Sequence, residues 1–124
     1  MTHNLVAEFL MTQSVVKSSR TFIPPATVAA EARLGLAIRA QQPPSQRCCT
    51  PVGLRRAVQL MDRQPVSVRT LKRMRSYFAR HAVDAQGARW DDPYSPSKGK
   101  VAWMLWGGDS GRVWCNKVLN SLGE

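Results

Sequence analysis

Prolines cut this chain into pieces of helical length and no longer. Pro24-Pro25, Pro43-Pro44, Pro51, Pro65, Pro93 and Pro96 stand at intervals along it, and Gly107-Gly108 adds a further break. A proline inside a helix removes a hydrogen bond and clashes with the preceding turn. It also pushes the residue before it toward extended backbone. No long rod, coiled coil or membrane span survives such punctuation; an assembly of short helices does. The expected fold class is all-α: a small helical domain of four to five short helices, with a helix-turn-helix-like pair and a long loop. Its 124 residues make one domain.

The segments between breaks carry helical patterning. Thr21 to Pro25 reads as an extended lead-in. Pro25 to Ala40 then places Val28, Ala29, Ala32 and Leu36 on one apolar face, widened by Leu34 and Ile38. Gln41 to Thr50 is a loop. Thr50-Pro51 is a helix start, with threonine as N-cap and proline at the first helical position. Leu54, Ala57, Val58 and Met61 follow on one face, ending near Asp62. After the turn Arg63-Gln64-Pro65-Val66, Ser67 caps a helix running to about His81. These two make the helix-turn-helix-like pair. Ala82 to Gly99 is polar and irregular. A short apolar helix spans Lys100 to Trp106 and stops at the Gly107-Gly108 pair, since glycine adopts left-handed backbone at low cost. Asp109 or Ser110 opens a last helix to about Leu122, with Val113, Trp114, Val118 and Leu119 or Leu122 inward. Residues 1–24 read as a weakly ordered arm and 25–124 as the domain. Glu8 and the lack of a basic leading region speak against a secretory signal.

Charge sets the class of partner. Eighteen Lys and Arg stand against eight Asp and Glu, a formal +10. A field of that sign attracts nucleic acid, anionic membrane or acidic protein. With no apolar run near the ~20 residues a bilayer span needs, no membrane partner is expected. Cys48, Cys49 and Cys115 are odd in number and two are adjacent, so no disulfide framework follows and reduced thiols are expected. His3 and His81 are isolated, which leaves no metal-ligand set.

The segment from Ser67 to His81 concentrates the charge. With Arg69 at zero and about 100° per residue, Lys72 falls near about 300°, Arg73 near about 40° and Arg80 near about 20°. Leu71, Met74 and Phe78 lie opposite, at about 140–200°. One face packs; the other is a cationic stripe without an acid. Arg75 sits at its edge, and Arg55, Arg56 and Arg63 add charge from the preceding helix. Solvated faces usually alternate in sign, whereas this stripe fits phosphates along a nucleic-acid backbone. The candidate nucleic-acid-binding residues are therefore Arg55, Arg56, Arg69, Lys72, Arg73, Arg75 and Arg80.

Other constellations are weaker. Trp103, Trp106 and Trp114 read as core, while Trp90 and Tyr94 in the long loop are better placed for an exposed contact. Gly107-Gly108-Asp109-Ser110-Gly111 lacks the lysine of a P-loop and reads as the end of one helix and the cap of the next. His81 with Asp84 lacks a third group for a triad, and Asp91-Asp92 is a bare carboxylate pair. No catalytic residue, metal or cofactor is expected, and the chain reads as non-enzymatic.

Several stretches stand together: Pro43-Pro44-Ser45-Gln46-Arg47, Thr50-Pro51-Val52-Gly53-Leu54-Arg55-Arg56-Ala57, Arg73-Met74-Arg75-Ser76-Tyr77-Phe78-Ala79-Arg80-His81 and Val83-Asp84. With Ala102-Trp103, Trp106-Gly107-Gly108-Asp109-Ser110-Gly111 and Trp114, they resemble a small domain found in tailed-bacteriophage genomes and phage-derived regions. The resemblance covers Pro43 to about Leu119 and implies a viral origin rather than a particular activity. Cys48-Cys49 departs from it, since similar sequences tend to carry Arg-Gly there. The expectation is a phage-encoded basic accessory protein of the host cytoplasm or virion that binds DNA or RNA through phosphates. The alternatives are a virion component, capsid-associated or connector, meeting other phage structural proteins, and a regulator clasping an acidic host protein.

Overall fold

The structure, a computed structural model, describes residues 20–124. The first nineteen residues, and with them most of the expected arm, lie outside the described residues.

Among the described residues there are five α-helices: α1 (Ala26–Gln41), α2 (Pro51–Met61), α3 (Val68–His81), α4 (Lys98–Leu105) and α5 (Gly108–Ser121). The all-α reading holds. One two-stranded ribbon accompanies the helices, with β1 (Thr21–Phe22) antiparallel to β2 (Val66–Ser67). The extended lead-in therefore belongs to the fold, and Pro24 behind it is fully buried. A two-residue pairing carries no sequence signal of its own; contact with the turn before α3 creates it.

Local chemistry sets the helix starts. Thr50 Oγ1 accepts from the Gly53 N–H at 3.1 Å, with Pro51 at the first turn of α2. Ser67 Oγ accepts from the Thr70 N–H at 3.1 Å to open α3. Each satisfies a donor that the helix itself leaves unpaired. Ser97 does the same for Lys100 at 3.1 Å, so α4 begins two residues earlier than the apolar pattern indicates. The expected Asp109 or Ser110 cap of α5 is corrected: Gly107, at φ 112°, holds the N-cap position without a side-chain bond. Gly108 follows at φ 64°, and a Cβ there would lie 2.6 Å from Glu31 Oε2. The left-handed backbone favours glycine there, and a Cβ would also push the Glu31 side chain aside.

Helix α1 runs through the middle of the domain and packs on α2, α4 and α5, while α3 lies against α5. The core joins Val28 and Ala32 of α1, Leu60 of α2, Leu71, Met74 and Phe78 of α3, Trp103 and Leu105 of α4 and Leu119 of α5. Each large side chain so buried contributes roughly 1.5–3 kcal/mol. The α1–α4 approach is close enough that a Cβ on Gly35 would sit 2.9 Å from Met104 Cβ. Three positions read as inward face solvent instead: Leu34, Val58 and Val113 are about half exposed or more. The core-facing stripes of these helices are narrower than the apolar residues available. Cysteine usage also differs from expectation: Cys48 and Cys49 are joined as a disulfide between neighbours, and Cys115 is a free, buried thiol.

Candidate nucleic-acid interface

Amphipathicity dictates how α3 is mounted. Leu71, Met74 and Phe78 are buried, which turns the other side of the helix outward. That side forms one wall of an open groove of about 940 Å³, and Arg69, Lys72, Arg73 and Arg80 all line it. The opposite wall comes from Cys48 to Thr50 and the start of α4, where Lys98 adds a fifth cation. Tyr77, Ala102 and Trp106 also line the groove, giving it an apolar and aromatic surface between the charges.

The rings are ordered by stacking. Tyr77 lies parallel to Trp106, with centroids 4.7 Å apart and planes 11° from coplanar. His81 stacks on Tyr77 at 4.5 Å and 28°. Trp103 closes against Phe78 edge-on at 4.7 Å and is buried, as expected for a core tryptophan. Trp106 and Trp114 are only partly buried. Trp90 meets Trp103 edge-on at 5.6 Å under the Lys100 ammonium, whereas Tyr94 is 90% exposed.

Arg69, Arg73 and Arg80 make no hydrogen bond or ion pair with any described residue. Lys72 is engaged: its Nζ lies 2.8 Å from Glu124 Oε2, a half-exposed pair of small net worth. The groove's lining contains one acid, Asp84, and its Oδ2 is 3.1 Å from His81 Nδ1. Burial, and then the Asp84 carboxylate, push the Tyr77 hydroxyl well above its usual range; its oxygen finds no protein partner.

The other three sequence candidates are placed differently. Arg75 is turned to the end of the chain, where it donates to the main-chain oxygen of Glu124 at 2.9 Å, and it does not line the groove. Arg56 is partly buried, donates to Gln59 Oε1 and lies 5.7 Å over the Trp106 ring. Burial, then Arg73, then Arg55 hold its guanidinium below the ordinary arginine range. Arg55 is exposed on α2 and does not line the groove. Helical periodicity groups charges on one element correctly, but which elements share a groove depends on packing that one helix does not encode. For that reason sequence reasoning missed Lys98, whose only signal was a serine N-cap just before it.

The weaker constellations resolve into local structure. Asp92 accepts from the Tyr94 and Ser95 N–H groups at 2.9 Å, which holds a turn and keeps its carboxyl below the usual range. Asp109 accepts from Trp103 Nε1 at 2.9 Å. Among the described residues no group of three or more metal-binding side chains assembles. No described helix is long and apolar enough to cross a membrane. Comparison with protein-family models, with curated proteins and with solved structures finds no match to this chain.

Proposed function

We propose that the chain is a phage-encoded accessory protein that binds nucleic acid along the α3 groove, mainly through phosphates. One observation carries the reading: five cations face one groove whose single lining acid is occupied by a histidine. Like charges gathered in this way repel one another, and a polyanion relieves that repulsion while releasing its own counterions. Arg69, Arg73, Arg80 and Lys98 are the principal contacts. Lys72 joins by exchanging Glu124 for a phosphate. Arg56, over the Trp106 ring, and Arg55, exposed beside it on α2, contribute to the field rather than by contact.

Fluorescence anisotropy with labelled oligonucleotides over a salt series tests this. About five contacts correspond to a log–log slope of about −4.5 on duplex DNA and about −3.5 on single strands. The triple variant Arg69→Glu, Arg73→Glu, Arg80→Glu abolishes binding while leaving the far-ultraviolet helical signal unchanged. A slope near zero, or wild-type binding by the triple variant, refutes the proposal.

A further inference from the structure

Beside the groove lies a smaller cavity of about 170 Å³, between the end of α1, the loop before α2 and the long loop before α4. Arg39, Arg47, Arg89 and Lys98 line it, and no acidic residue does. Two of its cations are fixed in place. Arg39 donates through Nε to the Cys48 carbonyl. Arg47 donates to the Gln42 carbonyl at 2.9 Å and the Ala40 carbonyl at 3.1 Å, covering the end of α1. Asp92 accepts from the Tyr94 and Ser95 N–H groups and also feels the Arg89 charge, but neither it nor Asp91 lines the cavity. Lys98 and Cys48 line both this cavity and the α3 groove, so the two concavities adjoin across them.

We infer that the small cavity continues the α3 groove and takes the next phosphates of the same chain, so that the molecule carries a single-stranded nucleic acid from Arg69 past Lys98 to Arg47 and Arg89. This rests on the nucleic-acid reading of the groove and adds its extent and strand class. Along α3, Arg69 to Arg80 covers about 16 Å at the helical rise, a stretch that a few nucleotides of one strand span, so a longer strand reaches on to the small cavity. A cavity of about 170 Å³ receives a solvated phosphate but not a stiff duplex. Trp106, which is partly exposed, and Ala102 line the groove between its cations and offer unpaired bases an apolar surface that a paired helix keeps to itself.

The test compares the whole protein with the variant Arg47→Gln, Arg89→Gln, which leaves every groove cation in place, on labelled single-stranded DNA of five and of fifteen nucleotides, with a fifteen-base-pair duplex beside them. Wild-type protein binds the fifteen-mer at least tenfold more tightly than the five-mer. The variant keeps five-mer binding within about threefold, which shows that it folds and retains the groove. It loses the length advantage, its salt slope on the fifteen-mer falls by about 1.4, and its duplex binding is unchanged. Equal fifteen-mer affinity and slope in variant and wild type overturn the continuation while leaving the groove intact. Loss of duplex binding in the variant equal to the loss on single strands overturns the strand assignment. Wild-type protein that binds none of the three overturns the groove reading and the continuation together.

Discussion

At the scale of single residues, Tyr77 joins core and groove. Its ring is 6% exposed, packed between Trp106 and His81, yet its hydroxyl is buried without a protein partner. A buried, unsatisfied hydroxyl costs stability, so Tyr77→Phe keeps the stack and leaves the melting temperature unchanged or raises stability by up to ~1 kcal/mol. Its raised pKa also fixes a direction with pH. The folded protein holds the proton more tightly than the unfolded chain, whose tyrosines ionise near about 10. That contribution is complete below pH ~10 and declines as pH rises from there toward the folded value. Denaturant melts between pH 9 and 12 therefore show a steeper loss for wild type than for the phenylalanine variant; parallel curves contradict the assignment. Cys115 shows the same physics without the site: burial raises its thiol to about 11, consistent with a packing role rather than a reactive one.

Among the elements, α1 decides whether the groove exists. It holds α2 and α4 in position, and the long loop leads from α3 to α4. Its contact with α4 depends on Gly35, where an added Cβ meets Met104 Cβ at 2.9 Å and Leu105 main-chain N at 3.2 Å. The neighbour includes backbone and cannot swing aside. Gly35→Ala, which ordinarily favours a helix, is expected to destabilise by about 1–3 kcal/mol through overpacking. Thermal unfolding followed by circular dichroism reads this directly, and a raised melting temperature shows that α1 and α4 have more room than described. Other caps are strictly local. Thr50 and Ser67 open α2 and α3 as their sequences indicate, because an N-cap needs only a hydroxyl three residues before a free N–H. The start of α5 escaped that logic: Gly107 and Gly108 adopt left-handed backbone beside Glu31 of α1, a neighbour distant in the chain.

Over the whole molecule, the excess of cations is an unfavourable term that folding tolerates. A formal +10 over 124 residues repels itself, and Arg55, Arg56 and Arg73 are close enough for two of them to depress the third. Screening shortens the reach of that repulsion from about 30 Å at 0.01 M salt to about 8 Å at 0.15 M. The melting temperature therefore rises by a few degrees between these salt concentrations, in parallel with falling nucleic-acid affinity. A melting temperature that drops with salt indicates instead that ion pairs such as Lys72–Glu124 dominate the electrostatics.

The helices and the α3 stripe were legible because proline breaks, N-caps and the 3.6-residue period act within one segment. Burying Leu71, Met74 and Phe78 forces Arg69, Arg73 and Arg80 outward whatever the partner helix is. Tertiary structure alone decided the rest. It sent Arg75 to the chain end, laid Arg56 over Trp106, exposed Val58 and Val113, and set Lys98 across from α3. Those outcomes depend on which helices meet and how closely. Contacts between residues far apart in the chain determine that, and a local period carries no information about them.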